Sequence, residues 1–293
     1  MKTKKANMGF KILVYSTVIV FSLFCVVPFL LVLSASFTSD NSLAYGVSLF
    51  PEQFSVSAYR YIFKFPNTII RAYGVSIFIT VVGTLLNMAL MIPFAYAISK
   101  TDFTYGRIMT FILFFTVMFS GGMVPMYILI KKYLHMFDTI WVLIIPWLVT
   151  PGHVILLRMF FRALPQSLFE SASLDGGNEY QQLFRVGIPL IMPGVATIAF
   201  FSILQFWNDS YTAIIYTESP DLVPVQVFLT QMSSYIQYIK QNGSAMGGVN
   251  VTDLPTQSIL YAMCVVACAP MLLLFSFFQK YFVKGLTAGS VKE

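Results

Sequence analysis

The sequence carries little charge for its length. Only 10% of its 293 residues are charged, whereas 57% are hydrophobic. A soluble domain carries about a quarter charged residues, so this chain has too few to cover a water-facing surface. Lipid is therefore the expected solvent, and the 29 Phe and 16 Tyr suit both the hydrocarbon and its interface.

The side chains that build metal centres and enzyme active sites are also scarce. The three cysteines lie in apolar stretches without a C-x-x-C pair, which argues against a disulfide framework or a structural zinc site. His135 and His153 form no H-E-x-x-H pattern, and His153 beside Pro151 and Gly152 indicates a kink. The few acids are scattered, so a membrane-embedded protease or glycosyltransferase lacks its catalytic set. We expect no metal and no catalytic residue.

No G-x-x-x-x-G-K-[ST] sequence occurs, so the chain cannot hold nucleotide phosphates in the manner of a P-loop. We expect no cofactor bound by this chain. The net charge of +6 comes from Lys and Arg between apolar runs. That arrangement is typical of topology signals in membrane proteins and does not indicate a nucleic-acid partner.

Six stretches are apolar enough to cross a bilayer, which takes about 20 helical residues. They lie near Ile12–Leu33, Tyr73–Ser99, Ile108–Ile130, Thr139–Phe161, Ile188–Ile215 and Ser258–Val283. The first is too long for the apolar region of a signal peptide and is expected to remain as an anchor. The predicted fold class is an all-α membrane protein with six transmembrane helices.

The basic residues indicate how the spans are oriented. With the N-terminus in the cytoplasm, twelve of the 18 Lys and Arg fall on the cytoplasmic side and six outside. The positive-inside rule then predicts that both termini are cytoplasmic. Residues 34–72 and 216–257 become long outer loops, long enough to meet an external partner.

The cytoplasmic loop after the fourth span carries the strongest pattern. Ser167 and Glu170 fit a capping box at the start of a short helix, which Gly176-Gly177 would end. Asn178, with Gln181 three residues later, fits the cap of a second helix that should end before Gly187 and Pro189. The apolar face of this hairpin comprises Leu168, Phe169, Ala172 and Leu174. Patterning alone leaves open whether that face packs on the chain's own bundle or on another protein.

The same loop carries a family signature. Glu170-Ser171-Ala172 is followed after three residues by Gly176, and after nine more by Val186-Gly187-Ile188-Pro189. This resembles the EAA loop of binding-protein-dependent ABC permeases, which reads E-A-A, three residues, G, nine residues, I-x-L-P. Ser171, Val186 and Ile188 depart from it conservatively, while Asp175 and Pro193 resemble the sugar-importer version. The resemblance runs from about Tyr73 to Lys284, with the six-helix count of the smaller maltose-type permease.

The resemblance implies an ABC type I importer permease fold with a cytoplasmic coupling helix, in the bacterial cytoplasmic membrane. Residues 1–72 would be a tail, the first span and an outer loop, residues 73–285 a five-span core, and residues 286–293 a tail. The residues implied at the interface with the ATPase are Glu170, Ser171, Ala172, Asp175 and Gly176. The implied partners are a second homologous permease, two subunits that bind ATP and Mg, a substrate-binding protein and a carbohydrate.

Two more segments resemble a branch that handles complex oligosaccharides. They are Phe119-Ser120-Gly121-Gly122-Met123-Val124-Pro125 and Gln279-Lys280-Tyr281-Phe282-Val283-Lys284-Gly285. Related permeases push an outer loop into the binding protein. By that resemblance, the contacts implied here are Asn242, Gly243, Gly247 and Gly248.

Asp209 is an ionisable residue in an otherwise apolar stretch, and such residues are functional candidates. We expect a substrate pathway at Gln205, Trp207, Asn208, Asp209 and Tyr211. A carboxylate bonded to a neighbouring helix, or lying near the outer mouth, is the alternative for Asp209.

The predicted function is a non-enzymatic permease subunit that imports a carbohydrate, an oligosaccharide, by alternating access. ATP hydrolysis in a separate chain would drive it. The alternative is an ion-coupled secondary carrier or a channel. Such proteins show charges in several spans or paired broken helices in two related halves, and no convincing internal repeat is present here.

Overall fold

The computed structural model describes residues 2–64, 66–242 and 256–290. Within these ranges the regular structure is helical, and one isolated antiparallel bridge joins Thr38 and Phe54. In chain order the α-helices are α1 (Lys2–Ser36), α2 (Asp40–Leu43), α3 (Ser57–Ile62), α4 (Pro66–Ser99), α5 (Gly106–Met118), α6 (Met123–Ile128), α7 (Pro151–Arg162), α8 (Gln166–Leu174), α9 (Glu179–Gln181), α10 (Ile188–Leu190), α11 (Met192–Asn208), α12 (Tyr211–Tyr216), α13 (Val225–Asn242) and α14 (Thr256–Ser290). The all-α class is confirmed.

Within the described ranges, three helices are long and apolar enough to cross a membrane without a break, at Met8–Ser36, Pro66–Ser99 and Gln257–Tyr281. Three bent pairs bring the number to six if each pair is one span. They are Gly106–Met118 with Met123–Tyr133 (112°), Ile140–Trp147 with Pro151–Arg162 (44°), and Glu179–Leu190 with Met192–Asn208 (85°). The sequence indicated a kink beside Pro151 and Gly152, where the second pair bends by 44°, but it gave no sign of the 112° and 85° bends. An apolar composition shows that a stretch is long and apolar enough to cross a membrane, but it does not show whether the helix is broken for a few residues.

Both predicted outer loops contain helices. Helix α4 begins at Pro66, ahead of the predicted Tyr73, because proline at the first helical position lacks only an N–H that would be unpaired there anyway. The first predicted outer loop is therefore shorter than expected and contains α2 and α3. The second holds α13, an 18-residue helix.

The chain forms two compact units, Met1–Pro66 with Leu229–Ala269, and Asn67–Phe228 with Pro270–Glu293. In the first unit, Asp40 accepts hydrogen bonds from the first turn of α14. Its two oxygens take the backbone N–H of Gln257 at 2.9 Å and the N–H and hydroxyl of Ser258 at 3.0 and 2.5 Å. A carboxylate suits this end of a helix, where the N–H groups lack partners inside the helix and the dipole is positive.

The described residues of the second unit form two apolar cores. The core around the ends of α4 and α7 contains Met91, Ala95, Tyr96, Val154, Leu157, Phe161, Leu183 and Ile198. The other contains Ile79, Ile130, Val142, Leu143, Ile144, Phe206, Ala213, Tyr216 and Val227. The first core includes residues of the hairpin that follows α7 and so holds it against the helices. The second core contains residues that flank the gap before α7 and the gap after α11.

Candidate functional site

Helix α8 is the first arm of the hairpin that the sequence places in the cytoplasm, and its start differs from the prediction. Pro165 occupies the N-cap position with φ −61° and ψ 131°, and no side chain caps the helix. The Leu168 N–H donates to the Pro165 carbonyl at 3.2 Å. The predicted Ser167–Glu170 capping box is therefore wrong, because the rigid proline starts the helix ahead of Ser167. Glu170 lies in the second turn with its side chain exposed.

The end of α8 is the predicted glycine stop. Gly176 has φ +79°, in the left-handed region. The Gly176 N–H donates to the Ser173 carbonyl at 3.0 Å, and the Gly177 N–H donates to the Ala172 carbonyl at 2.9 Å. These two bonds form a Schellman motif, which pairs the last carbonyls of a helix. A Cβ on Gly177 would lie 2.7 Å from the Ala172 oxygen, so both glycines are required.

The second arm begins at the predicted capping box. The Gln181 N–H donates to the Asn178 side chain at 2.9 Å, and the Asn178 N–H donates to the Gln181 side chain at 3.1 Å. The predicted end before Gly187 is wrong. A π-helical turn over 182–187 continues the arm through α10 to Leu190. The wider turn accommodates Pro189, which a regular α-helix would exclude from its interior.

A polar network joins this hairpin to the end of α4. Gln182 is buried, and its amide donates to Ser173 Oγ at 2.9 Å and to the Gly177 carbonyl at 3.1 Å. Tyr96 donates to Glu179 Oε2 at 3.1 Å, and Lys100 forms an ion pair with the same carboxylate. Burial is the largest single influence and lowers the pKa of Lys100, but the hydrogen bonds and charge interactions with Glu179 and Tyr96 together raise it above its ordinary value. The Lys100 ammonium therefore stays protonated at neutral pH.

The end of α4 is also tied to α7. Arg158 and Arg162 donate to the carbonyls of Ile98 and Ser99, at 3.0 and 3.4 Å. Carbonyls in the last turn of a helix lack partners inside it, and a cation there also complements the helix dipole. The ends of α4 and α7 and the hairpin are thus joined by hydrogen bonds and an ion pair.

The predicted coupling residues lie on the free side of the hairpin. Helix α8 contributes no buried residue, and Glu170, Ser171, Asp175 and Gly176 are exposed while Ala172 is half-buried. The predicted apolar face of α8 packs partly on the chain itself and is partly exposed. Phe169 packs against Tyr96 with ring centroids 5.9 Å apart, whereas the Leu174 side chain is 89% exposed at the tip.

The predicted pathway residues occupy different environments. Trp207 is 2% exposed and lies in the core, Gln205 is half-buried, and Asn208 is exposed. Asp209 Oδ2 accepts a hydrogen bond from Trp147 Nε1 at 2.8 Å, and Oδ1 accepts one from the Thr212 N–H at 3.1 Å. Asp209 therefore forms a hydrogen bond with a neighbouring helix, which was the alternative to a role in the substrate pathway. Tyr211 is 59% exposed.

Sequence reasoning missed Asn87, which is 1% exposed in the middle of α4. Its amide nitrogen donates to the carbonyls of Trp147 and Leu148 at 2.9 and 3.0 Å, and its oxygen accepts from Ser202 at 2.8 Å. The carbonyls belong to the break before α7, where an unsatisfied group would cost several kcal/mol in lipid. The sequence signal that could have identified Asn87 was a single amide side chain in an otherwise apolar stretch.

The predicted loop for the binding protein follows α13. Asn242 ends that helix, while Gly243, Gly247 and Gly248 lie outside the described residues. Among the residues that the structure describes, no three His, Cys, Asp or Glu side chains are grouped to hold a metal ion.

Comparison with known proteins gives one consistent answer. The model of the family described as "Binding-protein-dependent transport system inner membrane component" matches residues 6–288. The "Polygalacturonan/rhamnogalacturonan transport system permease protein YtcP" of Bacillus subtilis is 38% identical over 287 residues, covering 98% of this chain and 99% of that protein. "Protein LplC" of the same organism is 37% identical over 268 residues, covering 91% of this chain and 89% of that one.

A solved structure agrees with these relatives. A chain of "a bacterial ABC transporter involved in the import of the acidic polysaccharide alginate" superposes with a TM-score of 0.78 at 26% identity, covering 94% of this chain and 98% of that one. Such permeases are not enzymes, and ATP and Mg act through a separate ATPase subunit. With a family match over nearly its whole length and a shared fold, this chain belongs to the inner membrane components of binding-protein-dependent transport systems.

Proposed function

We propose that this chain is one of two membrane subunits of an importer that moves an acidic oligosaccharide inward by alternating access. ATP hydrolysis in the separate subunit drives the movement. The observation that carries the proposal is the cytoplasmic hairpin, which is fixed to the ends of α4 and α7 and leaves an apolar tip uncovered. Family membership excludes the ion-coupled carrier and the channel, neither of which has a use for such a hairpin.

The hairpin couples the ATPase to the spans. Its outward residues, Glu170, Ser171, Ala172, Asp175 and Gly176, form the docking surface, with Leu174 supplying the apolar contact. The inward side chains pass the displacement on through the Tyr96, Lys100 and Glu179 network. Leu174 is not the single exposed apolar side chain of the hairpin, since Leu168, Tyr180 and Phe184 are exposed as well, and exposed apolar patches mark protein interfaces.

The substrate class rests on the relatives' names. One relative is named for polygalacturonan and rhamnogalacturonan, another for arabinooligosaccharides, and the solved structure is of an alginate importer. Polygalacturonan and alginate are polymers of uronic acids. We therefore assign oligogalacturonides or chemically similar oligouronides to this importer.

The remaining assignments concern topology. Both termini are cytoplasmic, supported by the division of Lys and Arg, and residues 1–72 precede a permease core at 73–285 and a tail at 286–293. The outer loop at Asn242, Gly243, Gly247 and Gly248 enters the binding protein. Reporter fusions after residue 175 should read as internal and fusions after residue 235 as external. A cytoplasmic signal at 235 overturns this orientation.

The function is tested in proteoliposomes that contain both permeases, the ATPase and the binding protein encoded beside this chain. Labelled trigalacturonate should accumulate only with ATP inside and binding protein outside, whereas maltotriose should not. Uptake of maltotriose alone refutes the substrate class. Uptake of either sugar without ATP refutes the mechanism.

A further inference from the structure

Three interruptions of the helices border one cavity of about 530 Å³. Ser120, Gly121 and Gly122 lie between α5 and α6, Trp147 precedes the gap before α7, and Tyr211 follows the gap after α11. Cavities of about 300–1,000 Å³ are usual for small-molecule sites. All of its lining residues belong to the second compact unit.

The first interruption is unsuited to face lipid. Helix α5 has 13 residues, which span about 20 Å of a hydrocarbon core about 30 Å thick. Gly122 has φ +85°. Among the described residues, the backbone N–H groups of Ser120 and Gly121 have no hydrogen-bond partner. Irregular backbone at this depth is tolerated only where protein or a water-filled cavity covers it.

The lining of the cavity is mainly apolar and aromatic, with a few hydroxyl groups and no charged side chain. None of its lining residues is Asp, Glu, His, Lys or Arg, and Ser120, Thr212, Tyr211 and Tyr216 bring hydroxyl groups. Trp147 is held in place, since its Nε1 donates to Asp209 at 2.8 Å and approaches Thr212 Oγ1 at 3.1 Å. Asp209 thus acts as a positioning residue for the indole.

We propose that this cavity binds one sugar ring of the passing oligosaccharide through its C–H face and its hydroxyls, without contacting its carboxylate. A pyranose presents an apolar C–H face, which packs on Tyr211 or Trp147, and hydroxyls, which pair with the free N–H groups. No cation is available in the lining to pair a carboxylate. The inference deepens the proposed function and rests on it.

Other occupants fit the cavity less well. A metal ion or an organic cation would need carboxylates, and the nearby Asp209 already accepts from Trp147 and Thr212. A lipid chain would leave the Ser120 and Gly121 N–H groups unpaired. A side chain of the second permease remains as an outcome of the tests below.

The first test fills the cavity. A Cβ on Gly121 meets nothing within 4 Å, and the same holds for Gly74 in α4, outside the lining. In the reconstituted importer, Gly121→Leu should lower trigalacturonate uptake at least tenfold with the ATPase still bound, whereas Gly74→Leu should match the wild type. Equal uptake by both variants overturns the inference. Absence of uptake by the wild type counts against the proposed function instead.

The second test asks which part of the sugar is read. Tyr211→Ala should raise the half-saturating sugar concentration about three- to tenfold, the usual size of an aromatic contact. Tyr211→Phe should change it less. The effect should be equal for trigalacturonate and its neutral methyl ester. An effect confined to the free acid, or none with either sugar, contradicts a subsite for the ring face.

The third test examines access and does not depend on transport. Cys25, Cys264 and Cys268 are free and exposed, so they are first replaced by alanine, and Gly121→Cys is then added. A charged, water-soluble thiol reagent should label this cysteine in the assembled complex, and trigalacturonate should slow the labelling during turnover. Labelling only after the second permease is removed assigns the cavity to packing between subunits and refutes the proposal.

Discussion

Replacing Gly176 by valine should release the ATPase or uncouple it, because the turn that ends α8 depends on this residue. Gly176 has φ +79°, and an L-residue in that region costs about 1–2 kcal/mol. Valine should show the upper end of this energetic cost, because its side chain is β-branched. A loss of about 2 kcal/mol changes a population about 30-fold.

The other support for the first arm of the hairpin is the contact of Phe169 with Tyr96 and the apolar core. Helix α8 has nine residues and buries none of them, while isolated helices shorter than about 12–15 residues are marginal in water. The Schellman bonds and the Gln182 amide are therefore needed to keep the arm docked. We expect Gly176→Val to populate an undocked hairpin in a large share of molecules.

The assay purifies the complex through a tag on this chain and measures how much ATPase is retained, then how far sugar and binding protein stimulate hydrolysis. Gly46→Val is the matched control, since Gly46 also has a positive φ (+128°) and open space at its Cβ but lies in the first outer segment. Equal retention, stimulation and uptake in the two variants would refute the role given to the hairpin.

Three further outcomes are expected. Glu170→Lys should leave the spans folded but reduce ATPase retention, as gel filtration of the complex would detect, and undiminished retention contradicts its place on the docking surface. Gly83→Val should destabilise the second unit by about 1–3 kcal/mol, because a Cβ there lies 2.7 Å from the Phe206 ring; an unchanged Tm in detergent refutes that contact. Hydrogen bonds from the Ser219 hydroxyl, then from backbone N–H groups, lower the pKa of Asp138. The stabilisation from Asp138 is therefore complete above the ordinary carboxyl pKa of about 3.9 and is lost as the pH falls through the lower folded value, so Asp138→Asn should flatten the fall in Tm below pH 4.

The hairpin was predictable because its signals are local. The Asn178–Gln181 capping box and the Gly176 stop depend on residues within one turn of each other, and both were found where expected. The start of α8 was mispredicted because two local signals compete there, and the fixed φ of Pro165 prevails over the hydroxyl of Ser167.

The breaks in the spans could not be located in the same way. Gly121-Gly122 and Asn208-Asp209 lie inside the predicted spans Ile108–Ile130 and Ile188–Ile215, and the residues around them are as apolar as in an unbroken span. Whether a chain breaks there depends on partners distant in sequence, such as Asn87, which pairs the carbonyls of Trp147 and Leu148. Such pairing across 60 residues is a property of the tertiary fold, and one sequence does not reveal it.

The most direct test of the central claim is a photocrosslink from the tip of the hairpin. A benzoylphenylalanine at position 174 replaces a leucine that is 89% exposed, and one at position 45 replaces a tyrosine that is 93% exposed in the outer segment. In the assembled complex, position 174 should give an adduct with the mass of this chain plus the ATPase subunit, and position 45 should not. An active complex in which position 174 crosslinks only to lipid, or to the second permease, would contradict the account.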